Sequence, residues 1–374
     1  MKNFRKHHLL EIFNQSEKCR LPLDAFLRDY FRKHKAIGSK DRQEVCETLY
    51  GMVRWRGLLD HLCQRPANWK KRLEIYQEIN PLDFQHEEKI PLHVRVSFPK
   101  FIFETLSKAY GEKKAIELCL NSNHPAPTTI RVNPAKINRD DLLKHWKGSY
   151  SVSPCEKSPW GIVFHKKENF FALPEFKAGL FEVQDEGSQL VASEVDAKPG
   201  NHVMDYCSGS GGKTLAFAHK MKGQGQIHLY DIRAHMLIQA KKRLKRAGIQ
   251  NAHPLTDRHL KRKSLIGKMD WLLLDVPCSG SGTLRRNPDM KWKIKREMLD
   301  RLIEEQRKIF AESLKFLHPN GRIVYATCSV FPEENEKQVS RFIKEYDLKL
   351  VKPPFLSVPE NGKMDGFFSA VLSY

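Results

Sequence analysis

The chain has 374 residues, 40% of them hydrophobic, and 64 Lys+Arg against 44 Asp+Glu give it a formal charge of +20. That apolar content supports two or three domains, while its longest apolar runs fall far short of the roughly 18–20 residues of a membrane span. The charge surplus favours nucleic acid over an acidic membrane as partner.

The basic start Met1-Lys-Asn-Phe-Arg-Lys-His-His lacks the apolar stretch of a signal peptide, so a cytoplasmic protein is expected. The closest two of the eight cysteines, Cys46 and Cys63, are 17 residues apart. No CxxC knuckle exists, which argues against a metal and for free thiols in a reducing compartment. To about residue 95 the pattern is helical: between Ser39, a candidate N-cap, and Trp55, apolar Val45, Leu49, Met52 and Val53 form one stripe. Arg28, Arg32, Lys33, Lys35, Lys40, Arg42, Arg54 and Arg56 crowd this region, as a solvated face or an RNA-binding one.

From Pro99 a helix pattern with Phe101, Leu106, Ala109 and Ile116 leads to Thr129-Ile-Arg-Val, a short strand bounded by prolines. A small α+β connector is expected over 96–180. After about Phe181 apolar strands at His202–Tyr206, Gln226–Tyr230, Trp271–Val276 and Arg322–Ala326 alternate with amphipathic helices, which predicts an α/β, Rossmann-like doubly wound domain over 181–374.

In such a sheet ligands bind beyond the carboxyl ends of the strands. The first strand runs into Asp205-Tyr-Cys-Ser-Gly-Ser-Gly-Gly-Lys-Thr, a glycine-rich turn. A Walker loop needs Gly where Cys207 stands, and a dinucleotide fingerprint needs Gly or Ala where Thr214 stands, so an S-adenosylmethionine turn remains. Asp231, 26 residues after Asp205, lies near the spacing at which a carboxylate meets ribose hydroxyls, and could also cap the helix Arg233–Ala247.

Two further strands deliver Cys278 and Cys328 to the same edge. A thiolate that attacks carbon-6 of cytosine creates an enamine whose otherwise inert carbon-5 can take a methyl group from a sulfonium donor. Such chemistry also needs a group on the ring's N3 edge, for which Asp275 and Lys213 are candidates, and a base for the carbon-5 proton. Either cysteine alone would read as a buried apolar residue. Arg285-Arg286-Asn-Pro-Asp-Met-Lys291-Trp292-Lys-Ile-Lys-Arg, directly after the Pro-Cys loop, offers charge to phosphates and an indole to a base, although Trp292 fits a core equally well.

DYCSGSGGKT, LYD at 229–231, DVPCSGSGTLRRNPDMKW at 275–292 and YATCSVFPEEN at 325–335 resemble the RsmB/NSUN family of S-adenosylmethionine-dependent RNA (cytosine-5) methyltransferases, with RsmB, which acts on 16S rRNA, as the nearest type. The resemblance implies Cys328 as nucleophile and Cys278 as the thiol that assists adduct breakdown. It implies cofactor contacts from Cys207, Ser208, Gly209, Ser210, Gly211, Gly212, Lys213, Asp231, Asp257 and Asp275. Many members have Ala-Pro where this chain has Gly209-Ser210. Residues 1–95 resemble the family's helical, RNA-binding NusB-like domain, shortened and interrupted by Pro66, Pro81 and Pro91. The connector resembles its RRM-like subdomain, with Arg131 and Asn133 as RNA contacts. A monomer acting on ribosomal RNA is expected; action on tRNA, and a non-catalytic RNA-binding assembly factor on the same fold, are the alternatives.

Overall fold

In the computed structural model, which describes residues 1–19, 21–63 and 65–374, the chain divides into two units. One comprises residues 1–125 with 283–296, the other residues 126–282 with 297–374. Among the described residues no helix is long and apolar enough to cross a membrane.

The first unit is helical: Asn3–Ser16, Leu23–Lys33, Ser39–Arg54, Arg56–Leu62, Trp69–Glu78, Leu92–Arg95, Lys100–Tyr110 and Glu112–Ser122. The stripe Val45, Leu49, Met52 and Val53 is buried against Leu9, Ile12, Leu58 and Leu73. Ser39 is the first helical residue, however, and Gly38 takes the cap position without a side-chain bond. The helix expected from Pro99 is two helices broken at Gly111, whose φ of +82° disfavours residues with a side chain. Its buried face is Ile102, Phe103 and Leu106, and Ala109 is exposed. His7, His8 and Glu11 bring three possible ligand atoms together. There Tyr30 Oη lies 2.8 Å from His8 Nδ1 and donates to Glu11 at 2.5 Å, so a hydrogen-bonded cluster occupies the place.

Segment 283–296 corrects the expected RNA contacts. Lys291 is 1% exposed; its Nζ donates to Arg54 O (2.6 Å), Ser97 O (2.7 Å) and Asn123 Oδ1 (2.7 Å). Arg285 is also 1% exposed, and its carbonyl accepts from Arg54 at 3.0 Å. Trp292 packs on the helical core and donates Nε1–H to Val53 O at 2.8 Å. Arg286 alone of the four is exposed. Lys291, through its ammonium, and Arg285, through its carbonyl, thus tie this segment into its own unit, while Arg286, Lys293, Lys295 and Arg296 of the same run stay exposed.

The second unit opens with β1 (Thr128–Val132), helix Arg139–Trp146, β2 (Val152–Pro154), β3 (Gly161–Phe164), helix Pro174–Lys177 and β4 (Phe181–Val183). Their order β2-β3-β1-β4, antiparallel throughout, is the βαββαβ ferredoxin-like arrangement. Arg131 and Asn133, expected to touch RNA, are internal here. Arg131 is 2% exposed and donates Nε–H to Gln184 at 2.7 Å, with its pKa pushed down to about 10 by burial against the pull of Glu182. Asn133 Nδ2 donates to Gly179 O and Ala247 O.

The large sheet follows: β5 (His202–Asp205), β6 (Gln226–Leu229), β7 (Ala252–Pro254), β8 (Met269–Asp275), β9 (Leu317–Thr327), β10 (Lys349–Leu350), β11 (Phe355–Ser357) and β12 (Phe367–Ser373). Its order is β10-β12-β9-β8-β5-β6-β7, with β11 on β12. β5 to β9 are parallel, and β12 runs antiparallel to β9. Successive residues of β8 face opposite sides, Leu272 and Leu274 toward Phe310 and Phe342, Trp271 and Leu273 toward Val203 and Phe217. Both faces are therefore covered, as parallel sheets require. Strand order reverses between β5 and β8, which opens a crevice at their carboxyl ends.

Lys291→Met should lower the unfolding free energy by roughly 1–3 kcal/mol, the cost of leaving buried acceptors unpaired. Denaturant unfolding measures that loss. The salt dependence of RNA affinity should stay unchanged, whereas a slope reduced by about one would return Lys291 to the phosphates.

Candidate active site

β8 and β9 pair with Asp275 opposite Ala326, so the loops that leave them carry Cys278 and Cys328 side by side. Their sulfurs are 3.3 Å apart, both half-buried, and both thiols are free. This is hydrogen-bond distance for sulfur and well beyond a disulfide. The loops are stitched together: Gly282 N–H donates to Cys328 O at 2.9 Å, and Gly366 N–H to Gly282 O at 2.8 Å. A Cβ on Gly282 would stand 2.2 Å from Gly366 O, so only glycine allows this approach.

Buried polar groups hold the flanks of each cysteine. Glu334, 0% exposed, accepts from Ser279 N (2.8 Å), Ser279 Oγ (2.5 Å) and Gln306 Nε2 (3.0 Å). Gln306 also donates to Pro277 O at 3.0 Å. On the other loop, Asn335 accepts from Thr327 Oγ1 at 2.6 Å and donates to Ser329 O at 2.9 Å, and Ser281 Oγ meets Ser329 Oγ at 2.9 Å. Sequence reasoning quoted Glu334 and Asn335 inside a motif without giving them a role. Three serines after two cysteines, Ser279, Ser281 and Ser329, were the available signal.

The two thiols are electrostatically unequal. The hydrogen bond that Cys278 donates lowers the Cys328 pKa, and the Lys213 ammonium helps, against burial and Asp275. Cys278 is pushed well above the usual thiol range by the Cys328 sulfur it bonds to and by burial. The pair's surroundings thus make Cys328 the more acidic thiol and Cys278 the less acidic one. Burial alone would lower the Lys213 pKa, but Asp275, Cys328 and Asp205 together raise it. Lys213 forms an ion pair with Asp275, and its ammonium lies 6.0 Å from the Phe367 ring centre.

Across the crevice, the turn after β5 bends at Gly209 (φ +51°) and Gly211 (φ +77°). Ser208 N–H donates to Tyr230 O at 2.9 Å and Gly209 N–H to Asp231 Oδ2 at 2.8 Å, which joins the turn to the end of β6. Ser210 accepts from Arg243 through its carbonyl (3.0 Å) and its Oγ (2.5 Å), and Arg243 pairs with Glu182 of β4. Gly212 starts the helix that carries Lys213. Cys207 packs on the core beneath and is inert, its pKa raised by burial.

Asp205 Oδ1 and Ser208 Oγ are buried without a partner, although buried polar groups almost always have one. Burial pushes the Asp205 pKa up to about 7, against the 2.7 Å bond from Thr214 Oγ1. Asp231 also accepts from Arg233 N, Nε and Nη2. Ribose hydroxyls could pair with it only after the Arg233 guanidinium turns away, which its 58% exposure permits. Ile232, 86% exposed beside Asp231, offers an apolar face that sequence reasoning passed over. Asp257 is exposed and accepts from Tyr230 Oη at 2.7 Å. Asp231, Asp275, Cys278 and Cys328 thus follow strand ends of the large sheet, with Lys213 on the helix after the turn, while Arg131 is buried in the ferredoxin-like sheet and Arg285 and Lys291 are buried within the first unit.

The pattern of the family described as "16S rRNA methyltransferase RsmB/F" matches residues 192–373. That of its "ferredoxin-like domain" matches residues 98–170. A protein of Vibrio vulnificus named ribosomal RNA small subunit methyltransferase B is 30% identical over 91% of this chain and 78% of its own length. A probable ribosomal RNA small subunit methyltransferase B of Synechocystis is 30% identical over 70% of the chain, which spans only 59% of that relative. Among solved structures, a methyltransferase homolog from Pyrococcus horikoshii superposes with a TM-score of 0.67 at 26% identity, over 78% of this chain and 98% of the other.

Alkylation of Cys328 by iodoacetamide, followed by peptide mass spectrometry against pH, should show a midpoint below that of an ordinary thiol. Cys278→Ala removes the donor that stabilises the thiolate, so the midpoint should move to higher pH; a move to lower pH would reverse the assignment of the two thiols.

Proposed function

Because the chain belongs to the RsmB/F family of 16S rRNA methyltransferases, we propose that it transfers a methyl group from S-adenosylmethionine to carbon-5 of a cytosine in small-subunit ribosomal RNA through a bond between Cys328 and carbon-6. The observation that carries this reading is the 3.3 Å approach of two thiols of opposite character beside an ion-paired lysine. Methylation of an amino group or a ribose would require neither.

The residues of the turn, Cys207 to Lys213, with Asp231, Asp257 and Asp275, would hold the cofactor, and Ile232 would cover its base. The partnerless oxygens of Asp205 and Ser208, and a turn bent at Gly209 and Gly211 where no side chain intervenes, fit such a group. When bound, S-adenosylmethionine supplies an electrophilic methyl group. Cys328 Sγ adds to carbon-6, and the electron pair of the 5,6 double bond moves into the ring to make carbon-5 nucleophilic. The Lys213 ammonium, held in place by its ion pair with Asp275, stabilises the negative charge that develops on the ring. After methylation the carbon-5 proton is lost, its electrons rebuild the double bond, and the Cys328–carbon-6 bond breaks. Cys278 faces that departing sulfur and stabilises it with the hydrogen bond it makes in the free protein. Arg286, Lys293, Lys295 and Arg296 are the exposed members of the basic run left to meet RNA phosphates.

With labelled S-adenosylmethionine, the protein should methylate 16S rRNA, and bisulfite sequencing should place the mark at one cytosine. Cys328→Ala should abolish incorporation and form no adduct, whereas Cys278→Ala should accumulate a covalent protein–RNA species on a denaturing gel. Tight RNA binding without incorporation into ribosomal RNA or tRNA would leave a non-catalytic assembly factor.

A further inference from the structure

The Cys278 thiol is held by its hydrogen bond with Cys328 and by one from the Gly280 N–H, and both of its chain neighbours are held by one buried pair. Pro277 O accepts from Gln306, and Ser279 gives both its N–H and its hydroxyl to Glu334. Gln306 Nε2 also donates to Glu334, so the two acceptors and two donors close a ring around Cys278. Both residues are 0% exposed. Their backs are held as well: Tyr325 Oη donates to Glu334 O at 2.7 Å, and Gln338 Nε2 donates to Gln306 Oε1 at 3.0 Å. Tyr325 lies in β9, the strand that delivers Cys328, and Gln306 in helix Arg296–Leu314.

A carboxylate buried this deeply is costly for packing alone, since an apolar side chain of similar size would fill the space without desolvating a charge. What the carboxylate adds is direction. It accepts a main-chain N–H and a hydroxyl from the residue after Cys278, which an apolar group cannot do, and it links them to the strand that ends at Cys328.

We propose that Glu334, with Gln306, is a positioning residue for product release: it aims the Cys278 thiol at the Cys328 sulfur and touches neither RNA nor cofactor. This rests on the reading of Cys278 as the release thiol. Glu334 also holds the Ser329 hydroxyl, but without it Cys328 keeps its strand, the Asn335 bond to Ser329 O and Lys213, so adduct formation should stay in place. Collapse of the adduct should slow, because the thiol that stabilises the departing sulfur is no longer aimed.

The test compares Glu334→Ala, Glu334→Gln and Gln306→Met with the full-length wild type and with Cys278→Ala on 16S rRNA. Folding is checked by circular dichroism and by calorimetric S-adenosylmethionine affinity, which should stay within about threefold. Expected are a turnover lowered at least tenfold in Glu334→Ala, a trapped protein–RNA adduct in amounts approaching those of Cys278→Ala, and an unchanged rate of adduct formation in a single turnover. Glu334→Gln keeps an acceptor for Ser279 N–H and should restore release. If Glu334→Ala does not fold, Gln306→Met, which frees Pro277 O, decides by the same readouts. Adduct in Cys278→Ala but none in a folded Glu334 or Gln306 variant overturns the positioning role alone. No adduct in Cys278→Ala overturns the release role on which it rests.

Discussion

Parallel pairing of β8 with β9, in the register that sets Asp275 opposite Ala326, is the constraint on which the centre of the second unit depends. Cys278 lies three residues beyond Asp275 and Cys328 two beyond Ala326, so the thiols meet only in this register. A slip of one residue would turn every side chain of the strand to the other face and separate Leu272 and Leu274 from the core they fill. The hydrophobic alternation of β8 and β9 therefore does chemical work at a distance: it sets where two sulfurs sit.

The loops beyond the strands need a second device, because a loop has no register. Here it is a set of short polar residues, Ser279, Ser281, Ser329, Thr327 and Asn335, closed by Glu334. Networks of this kind favour one arrangement when each group is satisfied and penalise every other. Gly282 and Gly366 let the backbones approach closely enough for the network to close. Beyond the hydrogen bond from Cys278, Lys213 lowers the Cys328 pKa, whereas Glu334 raises that of both thiols, so the ammonium is what separates them.

The cofactor turn, the acid after β6 and the two cysteines were legible in the sequence because each is a local pattern at the end of an apolar run. Glu334 was not, since its meaning lies in Ser279, 55 residues away in the chain. The basic run after the Pro-Cys loop misled for the same reason. A lysine reads as surface unless its acceptors are visible, and those of Lys291 come from residues 54, 97 and 123. Ala109 and Ser39 show the smaller version: spacing announced a helix, but Gly111 broke it, and Gly38 took the cap. Arg131 was drawn toward RNA by resemblance, whereas Glu182 and Gln184 claim it inside the ferredoxin-like sheet.

The departure at Gly209-Ser210 has a physical answer in the same cluster. A proline at 210 would stiffen the turn by restricting its own φ and would lower the entropy of the unfolded chain. Serine leaves that freedom, and Arg243 removes it again by binding both the carbonyl and the hydroxyl of Ser210. Arg243 is itself held by Glu182, which also takes Arg246, so a strand of the ferredoxin-like sheet braces the turn. Stiffness that a ring would provide locally is here supplied by a chain of charges from β4. Through Arg243, the small subdomain braces the turn proposed to hold the cofactor.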